Sequence, residues 1–347
     1  MNTRTGIDKL IAINKKYATV YSSPETTLAR RLYQAQHPTE IGVFKCMDGR
    51  LHVPVMTRTA LGIIRPWRNL GGKFNLGWPG LLYTVRDWVN TGVSRGHHIL
   101  PIITYHFSRG DKHRGCKGFG YDKDAAMEFT TKLKNQFDHV FGKGTVYSIL
   151  CGIETDLDSL ILHGDNGEIV DLADITDSTL ETLKAIVDRL YPAMPQNMRQ
   201  DLIPLMQGNC AHIAQIRAEN RPIAEAEHKE WILAVGRGFD WLHEINSAFI
   251  IGPFDPRLRG AIGTGATLLL DNIHSGRVNP KDGIVLMASA PYAIPAGPER
   301  LLAEEKSKFL HDFAVETITD LVPDLLPHLE HLVTTMDLNT RTFNIIK

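Results

Sequence analysis

Phe44-Lys45-Cys46-Met47-Asp48-Gly49-Arg50 decides how this chain is read. The short apolar run that leads into it, Ile41-Gly42-Val43-Phe44, predicts a buried strand, with Cys46 at its carboxyl end. Open α/β sheets place their ligands just beyond such ends. Side chains at alternate positions of an extended chain point the same way. A thiolate, a carboxylate and a guanidinium can therefore converge here: Cys46 to hold a metal, Asp48 beside the metal's open position, Arg50 to hold Asp48. Alone, C-x-D-x-R is read more plainly as a buried cysteine and a surface ion pair.

The downstream sequence changes that balance. Ile99-Leu100-Pro101-Ile102-Ile103-Thr104-Tyr105 predicts a second strand, with His106 directly at its end, then a polar loop and Cys116. Two cysteines and a histidine suit a catalytic zinc with three protein ligands and one open position. His113 is the rival donor, since His113-Arg114-Gly115-Cys116 also has a metal-binding spacing; His106 is better placed, directly after a strand.

Together with Asp48 and Arg50, this constellation resembles the β-type carbonic anhydrases, and within them the carboxysome shell carbonic anhydrase group. Tyr105-His106-Phe107-Ser108, the loop ending at Cys116, Ile149-Leu150-Cys151-Gly152-Ile153-Glu154-Thr155-Asp156-Leu157-Asp158 and Arg68-Asn69-Leu70-Gly71-Gly72 carry the resemblance. It implies Zn2+ on Cys46, His106 and Cys116, with His106 rather than His113 as the imidazole ligand. It also implies an Asp48-Arg50 pair that orients the attacking hydroxide. Gly71 and Gly72 would let backbone approach a small substrate, and Cys151 falls inside a strand as a core residue.

The chain has 347 residues, 43% of them hydrophobic, enough for a large core and one or two domains. A formal charge of −1 without a basic run gives no reason to expect nucleic acid or an anionic membrane as partner. Four cysteines do not make a disulfide framework. Met1 to Gly6 is polar and no apolar run reaches membrane length, so a cytoplasmic protein is expected.

Residues 1–40 predict a helical arm, with Ser23 as N-cap and Pro24 at the first helical position. Residues 41–165 alternate strand and helix, the pattern of a largely parallel sheet, and form the zinc-binding catalytic half. One helix carries Leu81, Leu82, Val85, Trp88 and Val89 and stops near Gly92. The next carries Ala126, Phe129, Leu133, Phe137 and Val140, with Asp122 or Asp124 as cap. Residues 166–228 form a helical connector broken at Pro192, Pro195, Pro204 and Pro222, where Cys210 and His212 are taken as packing residues. Residues 229–347 repeat the order of elements, with Gly236 near the place of Cys46, Gly238 near that of Asp48, and no cysteine after Cys210.

The expected fold is therefore α/β, a β-carbonic-anhydrase-like sheet with flanking helices, internally duplicated with a degenerate second copy that lacks the metal site. The expected function is a zinc carbonic anhydrase, a lyase interconverting CO2 and bicarbonate. The alternatives are a zinc hydrolase of carbonyl sulfide or carbon disulfide, and an inactive scaffold relative. Self-association into a homo-oligomer is compatible with the sequence. Little sequence precedes the catalytic half, whereas the resembling enzymes carry a further N-terminal domain, which leaves Rubisco contact, shell association and a carboxysomal location undecided.

Overall fold

Residues 5–346 are described by the computed structural model, so the polar start of the chain is seen only from Thr5. The chain divides into two compact units. One gathers residues 29–46 and 51–227; the other gathers residues 1–28, 47–50 and 228–347.

The chain opens with helices α1 (Thr5–Ser22) and α2 (Pro24–Gln36). Ser23 caps the second, its Oγ accepting from Thr26 N at 3.2 Å. The first unit then holds β1 (Thr39–Cys46), the short α3 (Val53–Met56), β2 (Ile64–Asn69), α4 (Pro79–Ser94), β3 (His98–Phe107) and α5 (Lys123–Phe141). After these come β4 (Ile149–Glu154), β5 (Ser159–His163), β6 (Ile169–Asp171), α6 (Leu180–Leu190) and α7 (Gln196–Glu219). The six strands stand in the order β2-β1-β3-β4-β5-β6. The first four are parallel, and β5 and β6 add to the edge antiparallel.

Tight packing positions β1. A Cβ on Gly42 would lie 2.5 Å from Trp88 and 2.6 Å from Trp67, so only glycine lets both indoles close on the strand. Phe44 stacks on Trp67 with ring centroids 4.6 Å apart. On α4, Leu81, Val85, Trp88 and Val89 form the buried stripe, and the helix runs past Gly92 to Ser94. On α5 the buried face is Ala126, Thr130, Leu133 and Phe137. The expected Phe129 is only partly buried and Val140 is 50% exposed. Asp122, not Asp124, caps α5, accepting from Asp124 N and Ala125 N at 2.9 and 3.0 Å.

Three boundaries differ from the sequence expectation. β3 continues through His106 to Phe107, because those residues still pair with Ile153 and Glu154 of β4. The strand expected from Thr145 begins at Ile149, with only a single bridge from Ile99 to Val146 before it. Pro204 lies inside α7 rather than ending it, with Leu202, Ile203, Leu205 and Met206 buried around it.

In the other unit, β7 (Ile232–Gly236), β8 (Ala248–Ile251), α8 (Leu258–His274), β9 (Ile284–Tyr292), α9 (Pro298–Leu321), β10 (Leu329–Asp337) and β11 (Phe343–Ile345) follow one another. Their sheet has the order β11-β10-β9-β7-β8. β8, β7, β9 and β10 are parallel neighbours and β11 is antiparallel to β10. Its four parallel strands thus repeat the arrangement of β2, β1, β3 and β4. Ile7 and Leu10 of α1 join Ile232, Trp241, Val285, Met287 and Phe343 in one core. Both sheets are mixed and flanked by helices, so the expected α/β class holds.

Candidate metal centre

Parallel pairing brings the carboxyl ends of β1 and β3 to one edge of the first sheet. Cys46 ends β1, His106 is the penultimate residue of β3, and Cys116 immediately precedes the turn Lys117–Phe119. Their donor atoms all lie within 4.8 Å of one another, and all three residues are buried. Two thiolates and an imidazole, close together and shielded from water, fit zinc by donor type and number.

The surroundings hold this set in place. Gly71 N donates to Cys46 Sγ at 3.3 Å. Gly71 and Gly72 both have positive φ, 67° and 62°, which glycine takes without steric cost. A Cβ on Gly72 would press on Thr104 O at 3.1 Å and on Cys46 N at 3.4 Å, so this turn fits against the strand only as glycine. Thr104 in turn donates through Oγ1 to Phe44 O at 3.0 Å.

Asp156 anchors the loop between His106 and Cys116. It accepts from Ser108 Oγ at 2.8 Å, Gly110 N at 2.7 Å and Arg114 Nε at 3.1 Å. Burial works against its charge, but the Gly110 amide, the Ser108 hydroxyl and Arg114 together hold its carboxyl below the usual range. Glu154 accepts from the amides of Arg109, Asp156 and Leu157 at 3.2, 3.0 and 3.0 Å. Burial dominates there and raises its carboxyl. The stretch from Ile149 to Asp158, quoted for its resemblance, thus serves as the anchor of the Cys116 loop. That role was not read from the sequence.

The remaining donors fall elsewhere. His113 does not join the three; its side chain is 65% exposed and its Nδ1 lies 3.2 Å from Asp111 Oδ1. Cys151 is in the core, its thiol pushed up to about 12 by burial. His212 Nε2 meets Asp158 Oδ2 at 3.0 Å, and Cys210 is partly buried.

Met47 to Arg50 belong to the other unit. There Met47 O accepts from Ile250 N at 3.0 Å and Gly49 O from Asn246 N at 2.8 Å. Asp48 and Arg50 form no surface pair: each side chain is 5% exposed. Asp48 Oδ1 accepts from Arg50 N at 2.9 Å and Nε at 3.0 Å, while Oδ2 accepts from Nη2 at 2.6 Å. Arg50 Nη2 also lies 3.0 Å from His228 Nε2, and His228 Nδ1 lies 3.0 Å from Glu230 Oε2. A guanidinium only donates, so Nε2 accepts and the ring proton sits on Nδ1, toward Glu230. Glu230 is fully buried and also accepts from Gly49 N at 3.0 Å. Sequence reading missed His228 and Glu230; their one signal was the alternation His228-x-Glu230 directly before a strand. Asp48, His228 and Glu230 could together approach a cation, but the Arg50 guanidinium already takes both Asp48 oxygens and the His228 nitrogen.

Residues 36–186 match the family model of the carboxysome shell carbonic anhydrase catalytic domain. The matched span takes in Cys46, Asp48, Arg50, His106 and Cys116 and ends within α6. The resemblance carried by the sequence motifs is thereby shown over that span. No curated protein matches this chain.

Proposed function

We propose that this protein is a zinc carbonic anhydrase interconverting CO2 and bicarbonate, with Cys46, His106 and Cys116 as the metal ligands. One observation carries the reading: within the matched catalytic-domain span, two thiols and an imidazole are buried with their donor atoms inside 4.8 Å. Zinc, when bound, lowers the pKa of water and so supplies the nucleophile for CO2 at near-neutral pH.

The chain's own residues have separate tasks. The Gly71 amide offsets the charge of the Cys46 thiolate and orients it, as outer partners of metal ligands do. Asp48, two residues along the chain from Cys46, would accept a hydrogen bond from the attacking oxygen and orient it toward the substrate. Arg50 engages both Asp48 oxygens, which would stop the carboxylate from acting as a ligand itself. His228, held by Glu230, fixes the Arg50 guanidinium.

The duplication belongs to this reading. The matching order of four parallel strands in the two sheets supports descent from one repeated unit. No cysteine follows Cys210, so the second copy has lost the metal site. The family's name also carries a location, and we extend shell association to this chain as a proposal, tested by co-purification with shell assemblies.

Zinc analysis with a stopped-flow CO2 hydration assay on the purified chain tests the function. About one zinc per chain and rapid hydration that a chelator abolishes are expected. Full zinc occupancy without hydration would overturn it, and a carbonyl sulfide assay would then come next.

A further inference from the structure

The loop that carries Cys116 is anchored by a turn, and that turn is itself held from outside the matched span. β4 and β5 pair as far as Glu154 and Ser159, which leaves residues 155–158 as the turn between them. Asp156 of this turn holds the loop through Ser108, Gly110 and Arg114. A carboxylate can hold a loop in one place only while its own backbone is fixed. Carbonyls of a turn have no ladder partner, and where water is excluded they need donors from elsewhere.

Arg221 supplies those donors. Helix α7 ends at Glu219, and Asn220, with φ 49°, turns the chain into Arg221. Arg221 Nη2 donates to Asp156 O at 2.6 Å and to Thr155 O at 3.1 Å, while Nη1 donates to Asp158 Oδ2 at 2.7 Å. Asp158 adopts φ 55° and its side chain is 4% exposed, so its carboxylate depends on close partners. These are Arg221 and His212, whose Nε2 lies 3.0 Å from Asp158 Oδ2. Asn209 of α7 is a separate tie at the far end of the turn, its Nδ2 donating to Asp158 O and its Oδ1 accepting from Leu160 N, both at 2.9 Å. Arg221 reaches the end that bears Asp156.

We infer that Arg221 is a positioning residue of the metal centre, fixing Asp156 in the place from which it anchors the Cys116 loop. The inference rests on the zinc reading of Cys46, His106 and Cys116, and it extends the working unit past the matched residues 36–186 to Arg221. Loss of Arg221 strands two carbonyls and the buried Asp158 carboxylate. The turn then relaxes and Asp156 leaves its three donors. Lysine is a partial substitute, because its single ammonium lacks the planar fork that meets carbonyls and carboxylate together.

The test is chelator competition for zinc on the full-length protein, with melting temperature measured alongside. Arg221→Ala is expected to lower zinc affinity about tenfold, the low end of the range for outer partners of a metal ligand. Arg221→Lys should fall between that variant and wild type, and it carries the same comparison if the alanine variant does not fold. The specific signature is coupling: Arg221→Ala added to Asp156→Ala should lower affinity no further than Asp156→Ala alone, because both act on one anchor. Leu183→Ala, in the buried face of α6, controls for general instability and should lower the melting temperature with zinc affinity unchanged. Wild-type zinc affinity in the Arg221 variants, losses at Arg221 and Asp156 that add in full, or a matching zinc loss in Leu183→Ala would overturn the inference and leave the metal centre standing. A wild-type chain that binds no zinc would overturn the metal reading and this inference with it.

Discussion

Arg50 grips Asp48 by two side-chain bonds, Nε to Oδ1 at 3.0 Å and Nη2 to Oδ2 at 2.6 Å, with both side chains shut away from water. A buried pair of this kind responds sharply to losing one partner. Removing one member leaves the other charge buried and uncompensated, at about 3–5 kcal/mol. Asp48→Ala and Arg50→Ala should therefore keep zinc but lower the hydration rate ~10²-fold or more, with a clear loss of thermal stability. Arg50→Lys should not restore the rate, because an ammonium cannot present the planar fork. Unchanged turnover in Asp48→Ala would remove the dyad from the mechanism.

The metal donors should separate cleanly from their neighbour. Cys46→Ser, Cys116→Ser and His106→Ala each break a buried three-donor set and should lose zinc and hydration together. His113, exposed and turned toward Asp111, should tolerate alanine with metal content unchanged. Zinc retained in His106→Ala and lost in His113→Ala would reverse the assignment.

The Cys116 loop gives a graded case. Asp156 collects the Ser108 hydroxyl, the Gly110 amide and the Arg114 guanidinium. Asp156→Ala should loosen the loop and lower zinc affinity about 10- to 100-fold, the range for lost outer partners of a metal ligand. Asp156→Asn should restore part of it. Chelator competition measures this directly, and equal zinc affinity in Asp156→Ala and wild type would show that the loop holds its shape without the anchor.

Much of this arrangement was legible because it followed local patterns. The apolar runs before Cys46 and His106 marked β1 and β3, and Ser23-Pro24 and the Asp122 or Asp124 cap marked helix starts. What escaped depended on tertiary context. β2 carries Pro66 and two arginines, a composition unlike a strand interior, and is tolerated because β2 lies at the edge of its sheet. Pro204 looked like a helix end but is carried inside α7 among buried neighbours. His228 and Glu230 lie more than 170 residues from Arg50 and Gly49, a separation over which no sequence periodicity can point.

Acid should weaken the first unit through His163. Burial, with the Lys123 charge, lowers its pKa from 6.5 to about 4, and its Nε2 lies 2.9 Å from the Tyr105 hydroxyl. Above pH 6.5 the ring is neutral in both the folded and unfolded chain and contributes no pH dependence. Between 6.5 and about 4 the unfolded chain binds the proton and the folded chain does not, so stability falls as pH falls. One pKa unit corresponds to about 1.4 kcal/mol. With part of the ring open to water, a loss of about 1–2 kcal/mol across that window is expected. His163→Gln should flatten this part of the stability curve in urea titrations at stepped pH. An identical slope in wild type and variant would assign the acid sensitivity elsewhere.

Truncation after Glu227 tests how the second unit is built. That unit takes its residues from three parts of the chain: 1–28, 47–50 and 228–347. A fragment ending at 227 keeps Ile7 and Leu10 but lacks Trp241, Val285 and Phe343, with which they form a core. It also keeps Asp48 and Arg50 but loses His228 and Glu230, so Arg50 and the Gly49 amide lose buried partners. Exposed apolar surface and an unsupported ion pair should leave the fragment self-associating and without hydration activity. Adding residues 228–347 as a separate chain should restore both solubility and rate if the three segments reassemble. A soluble, monomeric and fully active fragment 1–227 would show instead that the metal half works alone, and that Asp48 and Arg50 need no support from residues 228–347.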